Sequence, residues 1–146
     1  KLNPNCKLTL ILMQVNDMED YMKNEGSGFV QDLLQSVQDT VRRHVGHRGI
    51  VCPLQPNLMS VVVQDINSDI KLRAFIESLR SRIAWNYRLI DPKYEISFSF
   101  GVACYPENGM DMRIVHRKLV KALQMAQEKH ANCYVIYKEH LHGELS

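Results

Sequence analysis

No apolar run in this chain reaches the roughly 20 residues needed to cross a bilayer core, and no leader pattern precedes the first hydrophobic segment. Charge of one sign is also scarce: 18 Lys and Arg against 16 Asp and Glu leave a net +2. That balance predicts neither a nucleic-acid surface nor a site for acidic substrates. The basic residues Arg42, Arg43, Arg113, Arg117, Lys118 and Lys121 have carboxylates close by and no interleaved aromatics, so they read as solvated helix faces. Cysteines number four (Cys6, Cys52, Cys104 and Cys133), with no C-x-x-C pair. They are expected to be reduced and buried, rather than bridged or holding zinc. His44 and His47 flank a glycine and lack a third ligand, His140 and His142 sit in a polar tail, and Cys104 with His116 has no third group to orient it. No metal, no cofactor and no convergent catalytic set is therefore expected. Internal repeats and low-complexity segments are missing too.

What is present is patterned for one domain with a real core in 146 residues. Lys7–Val15 is apolar on both faces and predicts a central strand. Asp17–Gly28 is polar, a loop or a short helix. Val30, Leu33, Leu34, Val37, Val41 and Val45 recur at spacings of three and four and predict a helix that Gly46 stops, with Arg42, Arg43 and His44 set against its dipole. Gly49–Leu54 and Leu58–Asp65, joined at Pro56-Asn57, predict a hairpin. Asn67-Ser68-Asp69 caps a second helix with a stripe of Leu72, Phe75, Ile76, Leu79 and Ile83, extended by Trp85 or Tyr87, and Asp91-Pro92 ends the connection. Tyr94–Ala103 alternates, which predicts a half-buried strand with Ile96, Phe98 and Phe100 inward and Ser97 and Ser99 on the other face. A helix carrying Ala122, Leu123 and Ala126 and a strand at Cys133–Tyr137 follow. The order β-α-β-β-α-β, helix, strand fits an antiparallel or mixed sheet covered by helices on one face.

Ser99-Phe-Gly101-Val-Ala103, Ala122-Leu123-x-x-Ala126-Gln127 and Asn132 resemble the C-terminal third of the GGDEF family, the diguanylate cyclase domains. The resemblance implies an α+β sandwich: a mostly antiparallel five-stranded sheet with a β-α-β-β-α-β core like nucleotide-cyclase and ferredoxin-like folds, flanked by helices. The family pattern lies on this chain without a gap from the first strand through the hairpin, and its apolar positions agree at Leu34, Val37 and Val41. Its functional positions do not. The metal-binding Asp falls on Gln14 and the second Asp of that motif on Asn16. The substrate-contacting Asn falls on Met22 and the guanine-reading Asp on Gln31. The GGDEF tip falls on Gln55-Pro56-Asn57-Leu58-Met59, and the phosphate-binding Lys on Gln127. Neutral amides are weak Mg²⁺ ligands and Leu58 is none, while Pro56 removes an N–H where a phosphate would approach. The family's product site, R-x-x-D, falls on Gly46-His47-Arg48-Gly49 and lacks the Asp.

These replacements lead to the expectation of a non-enzymatic, degenerate domain of a larger bacterial signalling protein, in cyclic di-GMP signalling and with transcription regulation as one outlet. Residues 1–137 form the domain, and 138–146 begin a linker to a C-terminal output domain, an EAL-type phosphodiesterase or a DNA-binding module. The chain starts at Lys1 and not at Met, which reads as part of something longer. Expected partners are covalently linked input and output domains, with a homodimer left open and no direct nucleic-acid or membrane contact. The expected compartment is the cytoplasm, including the cytoplasmic part of a membrane-anchored protein. The alternative is a metal-independent sensor of GTP or cyclic di-GMP, in which Gln14, Gln31 and Asn57 still supply hydrogen bonds.

Overall fold

A computed structural model describes residues 6–66, 68–88, 96–129 and 133–139, the side chains of 87 and 88 excepted. Asn67, Asp91-Pro92, Tyr94, Glu95, Asn132, the Tyr87 side chain and the tail from His140 onward lie outside the described residues. The elements are β1 (Cys6–Val15), α1 (Met18–Glu25), α2 (Ser27–Val45), β2 (Gly49–Gln55), β3 (Leu58–Val63), α3 (Asp69–Arg88), β4 (Phe98–Pro106), α4 (Met112–Lys129) and β5 (Tyr134–Ile136), with a single 3₁₀ turn at Gly46–Arg48. The strands form one sheet in the order β2-β3-β1-β4-β5. All neighbours are antiparallel except β4 and β5.

β1 sits in the middle of this sheet, which is why its sequence is apolar on both faces. Alternate residues divide into two cores. Ile11, Met13 and Val15 of β1 join Val61, Phe98, Phe100 and the apolar stripes of α2 and α3. Leu10 and Leu12 join Ala103, Leu119, Ala122, Leu123 and Ala126 on the opposite side. Helices therefore cover both faces, not one: α4 returns β4 to the parallel β5 and must cross over the sheet to do so. The same crossover corrects the reading of β4 as half-buried. Ser99 shares a face with Gly101 and Ala103 and is fully buried.

Gly101 explains how close α4 comes. A Cβ there would lie 2.4 Å from the Leu123 nitrogen and 2.6 Å from the Leu119 oxygen, both backbone atoms that cannot swing aside. Gly101→Ala should lower stability by about 1–3 kcal/mol, the usual cost of overpacking, visible as a lower denaturation midpoint. An unchanged midpoint would mean that α4 is not seated on this residue.

Two other expectations need correcting. Of the two residues expected to extend the α3 stripe, Trp85 does not, being 65% exposed, and the Tyr87 side chain lies outside the described residues; Leu72, Phe75, Ile76, Leu79 and Ile83 are buried. The cysteines are not four buried thiols: Cys6 and Cys104 form a disulfide between β1 and β4, with Cα atoms 5.2 Å apart. Cys52 is exposed and Cys133 partly so. The start of β1 runs beside the end of β4, with Thr9 opposite Cys104 and Cys6 opposite Pro106. Two cysteines 98 residues apart are thereby neighbours, a proximity that sequence spacing does not reveal.

Candidate functional site: the cleft where β1 meets the hairpin tip

β1 ends beside the β2–β3 turn because the antiparallel register brings them together. Gln14 lies opposite Leu58 on one side and Ser99 on the other. The Val15 N–H donates to the Asn57 carbonyl at 2.9 Å, and Asn57 Nδ2 donates back to the Val15 carbonyl at 3.2 Å. The hairpin tip is thus pinned to the C-terminal end of the central strand. Beyond it, Asn16 Nδ2 donates to the hydroxyls of Ser97 at 2.9 Å and Ser99 at 3.0 Å. On the α4 face, Gln127 Nε2 donates to Gln14 Oε1. A cleft of about 330 Å³ opens here, lined by Gln14, Asn16 and Asn57 together with the start of α1.

Of the positions singled out from the sequence, Gln14, Asn16, Asn57, Leu58 and Gln127 come together. Gln55, opposite Leu58, and Pro56 cap the exposed tip beside them. Met22 and Gln31 do not line the cleft. Met22 is 48% exposed on α1, and Gln31 is exposed near the start of α2. The sequence reading missed Asp17, which precedes α1, and Glu19 and Asp20 in its first turn, which form one wall of the cleft. Their signal was available, since carboxylates in a helix's first turn complement its dipole. Tyr21 packs behind them. Burial first, then the charges of Asp17 and Asp20, push its phenol above the ordinary range, so it is neutral at physiological pH.

The donor set does not fit a pair of divalent cations. Gln14 and Asn57 offer only neutral amide oxygens, that of Gln14 already accepting from Gln127, and Leu58 has no ligand atom. The carboxylates of Asp17, Glu19 and Asp20 are exposed, and among the described residues no group of three or more His, Cys, Asp or Glu could hold a metal ion. Arg48 donates to the His44 carbonyl at 2.7 Å and lies over the Phe75 ring, 5.1 Å from its centroid, so its guanidinium is engaged within its own chain.

The family described as "Diguanylate cyclase, GGDEF domain" matches residues 2–133. The chain belongs to the GGDEF family. Among curated proteins, this GGDEF domain is similar to an uncharacterized protein of Synechocystis sp., 17% identical over 97% of the chain. It spans only 20% of that relative's length. Among solved structures, the active GGEEF domain of a diguanylate cyclase from Vibrio cholerae superposes with a TM-score of 0.78, at 16% identity over 91% of this chain and 84% of that one. An EAL/GGDEF domain protein from M. capsulatus gives 0.72, at 15% identity over 94% and 90%. At such identities these likenesses speak for the fold, and the chemistry must be read from this domain's own residues. No described helix of this GGDEF domain is long and apolar enough to cross a membrane.

Proposed function

We propose that this GGDEF domain is a catalytically inactive regulatory and interaction module of a larger bacterial signalling protein, acting on an attached output domain. The observation that carries this is the Gln127–Gln14 hydrogen bond beside the cleft. A neutral amide pair stands where a phosphate-binding cation and a metal-binding carboxylate would have to face a charged nucleotide. The scaffold around it is retained, including the pinned hairpin tip and the close seat of α4 on Gly101. A fold kept while its charged chemistry is gone suits a part that transmits a change in packing or in domain contacts, biasing its neighbour between two states. The output domain on this reading is an EAL-type phosphodiesterase or a DNA-binding module. The domain works in the cytoplasm, free or as part of a membrane-anchored protein, with or without self-association.

Deleting residues 1–146 from the parent protein should change the output activity or its response to signal. An output unchanged in both level and response would remove the proposal.

One observation favours a second reading, a metal-independent nucleotide sensor: the cleft remains open at about 330 Å³, with amide groups on its walls. Calorimetric titration with GTP, GDP and cyclic di-GMP, with and without Mg²⁺, separates the two. The regulatory reading expects no binding tighter than about 100 μM, since such affinity is worth roughly 5.5 kcal/mol and needs several good polar contacts.

A further inference from the structure

Between α2 and α3 the surface opens into a second groove, of about 640 Å³, walled by Thr40 and Arg43 of α2 and by Ser81, Arg82, Trp85 and Asn86 of α3. Its size lies in the range of small-ligand sites. Three features set it apart from an ordinary helix surface. Trp85 leaves most of its indole in solvent although the rest of the α3 stripe is buried. Among the described residues, Arg43 and Arg82 are exposed, neither belongs to an ion pair, and no carboxylate lines the groove. The walls are held at a fixed separation: Asn86 Nδ2 donates to Thr40 Oγ1 at 2.9 Å, and Thr40 Oγ1 donates to the Ser36 carbonyl at 2.8 Å.

Two guanidiniums outside any described ion pair call for an anion, and they are suited to phosphate because their N–H groups pair with its oxygens two at a time. An exposed indole face calls for a flat, polarisable group. The ligand class that carries both within one small molecule is a nucleotide. We infer that this groove binds a nucleotide, its base stacked on Trp85 and its phosphate held between Arg43 and Arg82. An acidic peptide would satisfy the guanidiniums but leave the indole without a stacking partner. The groove uses none of Gly46-His47-Arg48-Gly49 and shares no residue with the cleft at Gln14, so nucleotide binding here is weakened by Arg43→Ala or Arg82→Ala and kept on Gln14→Ala, which tells it apart from binding in the cleft.

Trp85 is the chain's only tryptophan, so its fluorescence reports this groove directly. GMP and AMP should quench it saturably. Inorganic phosphate should compete without quenching, and guanosine should bind at least tenfold more weakly than GMP. Arg43→Ala and Arg82→Ala, both at exposed positions, should each weaken GMP about tenfold, as expected for a lost charge-assisted hydrogen bond, with the thermal midpoint unchanged. No saturable quenching at millimolar nucleotide would overturn the inference, as would quenching indifferent to both arginine substitutions. So would quenching by a short polyglutamate peptide but by no nucleotide. Loss of the signal on Gln14→Ala would place the ligand in the other cleft and equally overturn it.

Discussion

The purified domain, given GTP and Mg²⁺, is expected to form no cyclic di-GMP, at a rate at least about a thousandfold below a domain that keeps the metal carboxylates. Metal ions supply several kcal/mol of charge stabilisation in phosphoryl transfer, and each 1.4 kcal/mol is tenfold in rate. Here the residues at the end of β1 and at the hairpin tip offer neutral amides and no carboxylate, and the Gln14 oxygen already accepts from Gln127. The test is two-sided. Gln14→Asp combined with Asn57→Asp returns two carboxylates to adjoining positions, because Val15 and Asn57 are joined by backbone and side-chain hydrogen bonds. That variant should bind Mg²⁺ at least tenfold more tightly than the natural sequence by titration, since carboxylates are the hard anionic ligands this ion prefers. It should still not turn over GTP, because Gln127 leaves the phosphates without their cation. Metal-dependent product formation by the natural sequence would defeat the account, and so would Mg²⁺ affinity equal to that of the double variant.

Much of this arrangement was legible in the sequence because periodicity reports burial. β1 reads as a continuous apolar run because it lies between two strands and under helices on both faces, and α2 shows its stripe because only one side of it packs. The hairpin tip reads as a turn because Pro56-Asn57 suits nothing else. The errors have a common cause. Ser99 is polar yet fully buried, and it is satisfied by Asn16, a partner 83 residues away that no local pattern indicates. Gly101 looks like a break in a strand but is the seat of α4. The α1 wall of the cleft was missed because Asp17, Glu19 and Asp20 sit in a stretch with no apolar rhythm of its own. Trp85 entered as one of two candidates to extend the stripe by residue type, although it lies two residues past Ile83 and so off the stripe's spacing of three and four. Whatever depended on which strands are neighbours was invisible until the sheet order was known, and the Cys6–Cys104 pair is the sharpest instance.

That pair carries the largest expected effect on stability. In the oxidised domain, thiol titration in denaturant should count two free thiols, Cys52 and Cys133, and four after reduction. The bridge closes a loop of 98 residues. On the chain-entropy account, a loop of that order stabilises the native state by roughly 4.7 kcal/mol, by restricting the unfolded chain. Against a total of about 5–15 kcal/mol for an ordinary domain, this is a large share. Reduction, or Cys104→Ser, should therefore move the denaturation midpoint far down without disturbing the fold. The native neighbourhood is held by other means: the Cys104 N–H donates to Asn108 Oδ1 at 2.7 Å and the Asn108 N–H to the Cys104 carbonyl at 2.9 Å, while the β1–β4 ladder continues from Leu8 to Val15. The slope of free energy against denaturant separates this account from a native-state one. Releasing the cross-link lets the unfolded chain expand and expose more surface, so the slope should rise on reduction. A midpoint unmoved by reductant, or four titratable thiols before any reductant is added, would show that the two cysteines are neighbours without a bond. In a compartment kept reducing by small thiols the domain would then function at its lower stability, with the sheet ladder and the seat of α4 on Gly101 as its main supports.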